Sequence, residues 1–265
     1  MSEAPLLEIR NATVMRGQKP VLERFSLRIE QGEHVAILGP NGAGKTTLIK
    51  TLIRELYPRA DADTVFRILG RDSWNVWQLR RQVGFVSAEL QHRYRESTTV
   101  HDVVISGFLS SIGVHGMTGQ GITPGHRERT ERILDALSLT GLAGRPFGTL
   151  STGQQRLVLL GRALVHDPAT LILDEPCAGL DFAAGADVMR RIRALAKQGI
   201  SLVIVTHHLD EIPPEVERII LLKEGAVLAD DSPERVLTDE RLSDAYQVGI
   251  RVFRLGDRFF AAPEW

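Results

Sequence analysis

Four apolar residues, Val35-Ala-Ile-Leu38, run directly into Gly39-Pro40-Asn41-Gly42-Ala43-Gly44-Lys45-Thr46, and after Thr47 the residues Leu48, Ile49, Leu52 and Ile53 fall at helical spacing. A buried strand, a loop almost without side chains and a helix N-terminus follow one another here. The loop matches the phosphate-binding pattern G-x-x-x-x-G-K-S/T. Small residues let backbone N–H groups turn inward onto an anion, and the helix end adds its positive dipole. In this reading Gly39 to Thr47 bind the phosphates of a nucleotide. Lys45 reaches the β- and γ-phosphates, and the Thr46 hydroxyl holds Mg²⁺.

The surrounding pattern agrees with a strand and helix alternation. Leu7–Ile9, Phe25–Ile29 and His34–Leu38 read as strands broken by Gly17, Pro20 and Gln31-Gly32-Glu33, and Arg81–Val86 reads as another. Thr99–Leu109 and Arg127–Leu139 carry helical periodicity, with a glycine-rich, mobile connection (Gly107, Gly113, Gly116, Gly119, Gly121, Gly125) between them. Thr170–Leu173 and Ser201–Val205 are short buried strands flanking the helical pattern of Ala183–Lys197, which argues for a largely parallel sheet covered on both faces. Val252–Leu255 and Arg258–Ala261 flank Gly256-Asp257 as a terminal hairpin.

Leu171-Ile-Leu-Asp174-Glu175-Pro176 is a second chemical element. An acid at the C-terminal end of a buried parallel strand sits where such sheets bind ligands, so Asp174 can hold hydrated Mg²⁺. Glu175 leaves the chain in another direction and can take a proton from an attacking water. Without the phosphate loop, the same pair of acids reads as a helix cap or a solvated turn. Ser151-Thr152-Gly153, ahead of a helix from Gln154, is an ordinary N-cap and also a place where a hydroxyl and an N–H meet an anion. His207, after a buried strand, can hydrogen-bond a γ-phosphate; His208 is solvated, and no histidine cluster predicts a structural metal.

The chain has 265 residues, with 32 Lys and Arg against 33 Asp and Glu and a net charge of −1, which gives no electrostatic case for nucleic acid or anionic lipid. Its one cysteine, Cys177, cannot form an internal disulfide, and Met1 to Arg10 lacks a secretory pattern, so a reducing, cytoplasmic setting is expected. Cys177 reads as a packed thiol and not as a nucleophile. The longest apolar runs, Leu202–Val205 and Ile219–Leu222, fall far short of the roughly 18 residues needed for a membrane span.

Leu150-Ser-Thr-Gly-Gln-Gln155 ahead of Asp174, then Ala178-Gly-Leu-Asp181, then Val205-Thr-His207, resemble in order and spacing the signature, D-loop and switch histidine of ATP-binding-cassette (ABC) ATPases. The resemblance runs from about residue 7 to 230 and is nearest to molybdenum-transport or photorepair-type ATP-binding proteins. It implies an α/β P-loop NTPase with a mostly parallel central sheet, an N-terminal antiparallel β subdomain and an inserted helical subdomain. One nucleotide-binding domain would fill 1–265: a core of about 1–88 and 166–240, a helical signature subdomain of about 89–165, and a hairpin extension of about 241–265.

The resemblance further implies ATP and Mg²⁺, and a head-to-tail homodimer or heterodimer of cassettes. ATP would lie between the phosphate loop of one protomer and Ser151, Thr152, Gly153 and Gln154 of its partner, with Asp181 at the interface and Glu175 and His207 catalytic. Separate transmembrane permease subunits would dock on it at the cytoplasmic face of a membrane. The alternative is a soluble cassette ATPase driving cytosolic assembly, repair or translation; the interval from Lys45 to Ser151 carries no heptads, which disfavours translation-type and chromosome-type members.

Three positions depart from the family pattern. Thr152 stands where many members have Gly. The aromatic residue that usually stacks on adenine falls near Arg16, whose guanidinium plane can also stack on a base. After Val83-Gly-Phe-Val-Ser87 the expected Mg²⁺-linking glutamine is displaced: either Gln91 reaches the metal through a longer loop, or Glu89 substitutes for it.

Overall fold

The computed structural model describes residues 4–113 and 121–264 and resolves into two compact units, Met1–Val76 with Ser201–Trp265, and Trp77–Ile200. The chain enters the first unit through β1 (Leu7–Arg16) and β2 (Lys19–Ile29), an antiparallel hairpin turned at Gly17-Gln18. Both strands are longer than their periodicity predicts. Register shifts between Ile9 and Met15, with Asn11 at φ 48° and Arg24 at φ 46°, interrupt the alternation and mask the continuity. Pro20 pairs opposite Met15 in the edge strand of the three-stranded sheet β2-β1-β4, where a missing N–H costs no ladder bond.

Next come β3 (Val35–Leu38), α1 (Lys45–Leu52) and β4 (Val65–Ile68), the last antiparallel to β1. All four β3 residues are buried. Leu48, Ile49 and Leu52 bury the apolar face of α1.

The second unit takes up α2 (Val76–Gln82), β5 (Val83–Ser87) and α3 (Ala88–Gln91). Arg81 and Gln82, expected in a strand, close α2 instead. Two helices follow, α4 (Val100–Ile105), prolonged by a 3₁₀ turn over Ser106–Leu109, and α5 (Pro124–Ala136). Then come α6 (Thr152–Ala163), β6 (Thr170–Asp174) and α7 (Phe182–Lys197). β5 and β6 pair in parallel, Val83 beside Thr170 and Ser87 beside Asp174.

Hydroxyl or carboxylate caps start these helices. Thr99 accepts the Asp102 N–H at 3.1 Å, Thr123 forms a capping box with His126, and Asp181 accepts the Ala184 N–H at 2.8 Å. The core of this unit centres on α6, whose Leu157–Leu160 are buried together with Val103 and Val104 of α4 and Ile133 and Leu134 of α5.

The chain returns to the first unit through β7 (Ser201–Thr206), β8 (Arg218–Lys223) and β9 (Ala226–Asp231). β3 lies between β7 and β8, parallel to both, and β9 closes this edge antiparallel to β8. The short helix α8 (Pro233–Val236), α9 (Asp239–Tyr246) and the hairpin of β10 (Ile250–Leu255) and β11 (Arg258–Pro263) complete it.

The glycine-rich connection is shorter than expected. Gly107 belongs to the 3₁₀ turn and Gly125 to the first turn of α5, while Gly116 and Gly119 lie outside the described residues. Gly107 is buried, and a Cβ there would stand 2.4 Å from the Arg162 carbonyl oxygen and 2.8 Å from Val165 Cγ2. The glycine therefore serves close packing against the end of α6. Gly107→Ala is expected to cost about 1–3 kcal/mol through overpacking, measured by denaturant unfolding.

Candidate active site

The candidate residues divide between the units: Arg16, Gly39 to Thr47 and His207 in the first, and Glu89, Gln91, Ser151 to Gln154, Asp174, Glu175 and Asp181 in the second.

In the first unit, the end of β3 delivers the chain into the loop. Gly44 is the N-cap of α1 at φ 102°, a left-handed conformation, and a Cβ on it would sit 2.8 Å from Leu22 Cδ2. Glycine is required on both counts. The Lys45 ammonium is buried and folds back onto its own loop, donating to the carbonyls of Gly39 at 2.6 Å and Pro40 at 3.0 Å. Those bonds curl the loop around a positive charge, which fits the cradle to phosphate oxygens. Asn41, Gly42 and Thr46 are exposed, whereas Thr47 is buried beneath them. Arg16 is exposed at the tip of the β1–β2 hairpin.

The turn after β7 carries His207, half-buried, its ring centroid 4.0 Å from that of exposed His208. Thr206 Oγ1 donates to Glu211 Oε2 at 2.6 Å and accepts the His208 N–H at 3.0 Å. Glu211 is buried, and burial pushes its carboxyl above the usual range, a shift opposed by the Thr206 hydrogen bond.

In the second unit, β6 ends at Asp174 and Glu175 follows at φ 48°. A left-handed non-glycine residue bends the chain sharply, so the two acids leave the strand end in different directions. Both are half-buried.

Ser151 caps α6: its Oγ accepts the Gln154 N–H at 3.3 Å while its own N–H donates to Gln154 Oε1 at 3.1 Å. An accepting hydroxyl keeps its proton to donate elsewhere. Ser151 and Thr152 are exposed, and Gly153 is buried with a virtual Cβ 2.8 Å from Ala184 Cβ, so it is also needed where α6 meets α7. Arg156, one of the largest fully buried side chains, donates to the Ala178 carbonyl at 3.3 Å and ties α6 to the segment leading to Asp181. Cys177 is half-buried, with Sγ 3.8 Å from the Gly185 carbonyl.

Gln91 and Glu89 share α3 but differ in surroundings. Gln155 Nε2 donates to the Phe147 carbonyl at 2.9 Å, which turns Gln155 Oε1 toward Gln91, whose Nε2 donates to it at 2.6 Å. That chain fixes both amide orientations. It leaves Gln91 Oε1 buried without a hydrogen-bond partner. A hard, unshared oxygen suits Mg²⁺, which binds one or two protein oxygens together with substrate phosphates.

The family profile for ABC transporters matches residues 22–178, more than half of the chain. The chain belongs to the ABC transporter family. It is 33% identical over 260 residues to the uncharacterized ABC transporter ATP-binding protein YlmA of Bacillus subtilis, covering 96% of each chain. It is 36% identical over 213 residues to the ABC transporter ATP-binding protein ModF of Escherichia coli, spanning 79% of this chain and 42% of that longer protein. A solved dimeric ATP-binding cassette in a post-hydrolysis state, bound to ADP and Pi, superposes with TM-score 0.69 at 26% identity, covering 85% of this chain and 98% of that one. This cassette is accordingly an ATP-binding, transport-coupled ATPase.

Several residues of the cassette's site escape sequence reasoning. The Gly225 N–H, in the turn between β8 and β9, donates to the Ala43 carbonyl at 3.1 Å and braces the phosphate loop from behind. Its one sequence signal is the turn pair Glu224-Gly225. Glu211 is visible in sequence only as an acid five residues after Thr206. Because burial raises its pKa, folding favours the protonated acid, and stability falls as pH rises through and above the ordinary carboxylate value of 4.5. Glu211→Gln retains an acceptor for Thr206 without ionising. It should raise the thermal midpoint at pH 8 by about 2–4 °C, with the gap to the parent closing as pH is lowered.

Proposed function

We propose that this ATPase works as a head-to-tail dimer of cassettes that powers a membrane transporter from its cytoplasmic face. The observation that carries this reading is the end of α6. Ser151 presents an exposed hydroxyl with its proton available, at the positive end of a helix of 12 residues. Such a group suits the γ-phosphate of ATP held by the phosphate loop of a second copy. The relative solved as a dimeric cassette bound to ADP and Pi supports pairing of two cassettes. Asp181, already the cap of α7, would lie at that interface.

In each composite site Lys45 and the loop N–H groups bind the phosphates, and Arg16 stacks on adenine. Thr46, Asp174 and Gln91 would hold Mg²⁺ through their oxygens, and the ion would offset phosphate charge. Glu175 accepts the proton of the attacking water as the new P–O bond forms and the bond to ADP breaks. His207 donates to the γ-phosphate. ATP thus draws the two copies together and hydrolysis releases them.

Among the described residues no helix is long and apolar enough to cross a membrane. The reading assigns the membrane-crossing path of the transporter to separate permease subunits, with the segment 89–165 acting as the helical subdomain that meets them. Recovery from detergent extracts with membrane proteins is the expected result; recovery with soluble partners alone would support a cytosolic role instead.

Glu175→Gln should bind ATP normally, lose turnover by about 10²–10⁴-fold, and accumulate an ATP-bound dimer visible by size-exclusion chromatography. Normal hydrolysis by this variant would remove Glu175 from the role of base. For the metal, Gln91→Ala should weaken Mg²⁺-dependent turnover by about 10–100-fold, while Glu89→Ala leaves it near the parent value. The reverse order would assign the ligand to Glu89.

A further inference from the structure

The turn from Thr206 to Glu211 is held from two directions. Its own side chains hold one side, through the bonds of Thr206 to Glu211 and to the His208 N–H. The C-terminal segment holds the other. The hydroxyl of Tyr246, the last residue of α9, donates to the His207 carbonyl oxygen at 3.2 Å, and Arg258 Nη2 of β11 donates to the Asp210 carbonyl oxygen at 2.5 Å. Two donors more than ten residues apart in sequence thus converge on backbone acceptors of one turn.

The donors are themselves anchored. Lys223 of β8 pairs with Asp244 of α9 at 2.8 Å. The β10 strand is sewn to α9 by the Val252 N–H to Asp239 at 2.7 Å and the Ile250 N–H to Ser243 Oγ at 2.8 Å. Gln247 turns left-handed at φ 57° directly after Tyr246 and stops the helix there. Burial pushes the Tyr246 phenol further above its usual value, so it stays protonated and able to donate. A carbonyl can only accept, so donor and acceptor match without ambiguity.

We infer that Tyr246 is a positioning residue for His207, and that the C-terminal α9–β10–β11 segment sets the efficiency of ATP hydrolysis by fixing the backbone from which the His207 imidazole projects. This rests on the assignment of His207 to the γ-phosphate made above. Fixing the carbonyl of a residue restricts the torsions on both sides of its peptide, and a catalytic side chain loses rate when its base can drift. Neither hydrogen bond touches the phosphate loop, so nucleotide affinity should be indifferent to them.

The test uses the full chain and steady-state ATPase assays. Tyr246→Phe removes one oxygen and should lower kcat about 3–10-fold, the loss expected for one hydrogen bond, with KM for ATP unchanged. Arg258→Ala, on the exposed hairpin, should act in the same direction and carries the test if Tyr246→Phe folds poorly. In a His207→Ala background, Tyr246→Phe should have no further effect on the residual rate, because both changes act through one group. An unchanged kcat in both Tyr246→Phe and Arg258→Ala overturns the inference. So does an equal loss in the presence and absence of His207. If His207→Ala itself turns over normally, it is the role of His207 that fails.

Discussion

The phosphate loop depends on one strand being held without freedom. β3 has only four residues, all buried, and it is hydrogen-bonded on both sides by parallel partners, Val35 beside Val203 of β7 and Arg218 of β8. A strand so placed cannot slip by one residue without giving up its backbone bonds to both neighbours and drawing half-buried His34 or the start of the loop into the buried register. Its C-terminal end is therefore a fixed point from which the loop is cast. Behind the loop, the Gly225 N–H takes up the Ala43 carbonyl, and within it Lys45 gathers the carbonyls of Gly39 and Pro40. These bonds, all made within the chain, hold the loop in shape.

In the second unit the equivalent organiser is α6. One face of it is the core, and its N-terminus carries the capped Ser151. From the same helix Gln155 reaches back to the carbonyl of Phe147 and to Gln91, and Arg156 reaches forward to Ala178. Three segments, assigned to the nucleotide, its metal and the dimer interface, thus take their positions from neighbouring residues of a single helix. A displacement of α6 would move them together.

What was legible in the sequence follows from how local each signal is. The phosphate loop, the acids after β6 and the cap at Ser151 are governed by neighbours a few residues away, and the structure has them at the ends of the predicted elements. The β1–β2 hairpin was half visible because bulges at Asn11 and Arg24 break the period of two. Arg81 and Gln82 were misread because a short helix runs into a strand with no glycine or proline between them. The supports of the site were not legible. Gly225 with Ala43, Gln155 with Gln91 and Tyr246 with His207 are pairs made by folding, distant in sequence and carried by residues that are commonplace on surfaces.

Glu175 holds a left-handed backbone that glycine or asparagine would occupy more comfortably, at a cost on the order of 1–3 kcal/mol. Folding alone would discard the glutamate. In the role proposed for it, Glu175 keeps this strain because a carboxylate is needed there, and a chain relieved of that role would gain stability from glycine or asparagine at the same torsion.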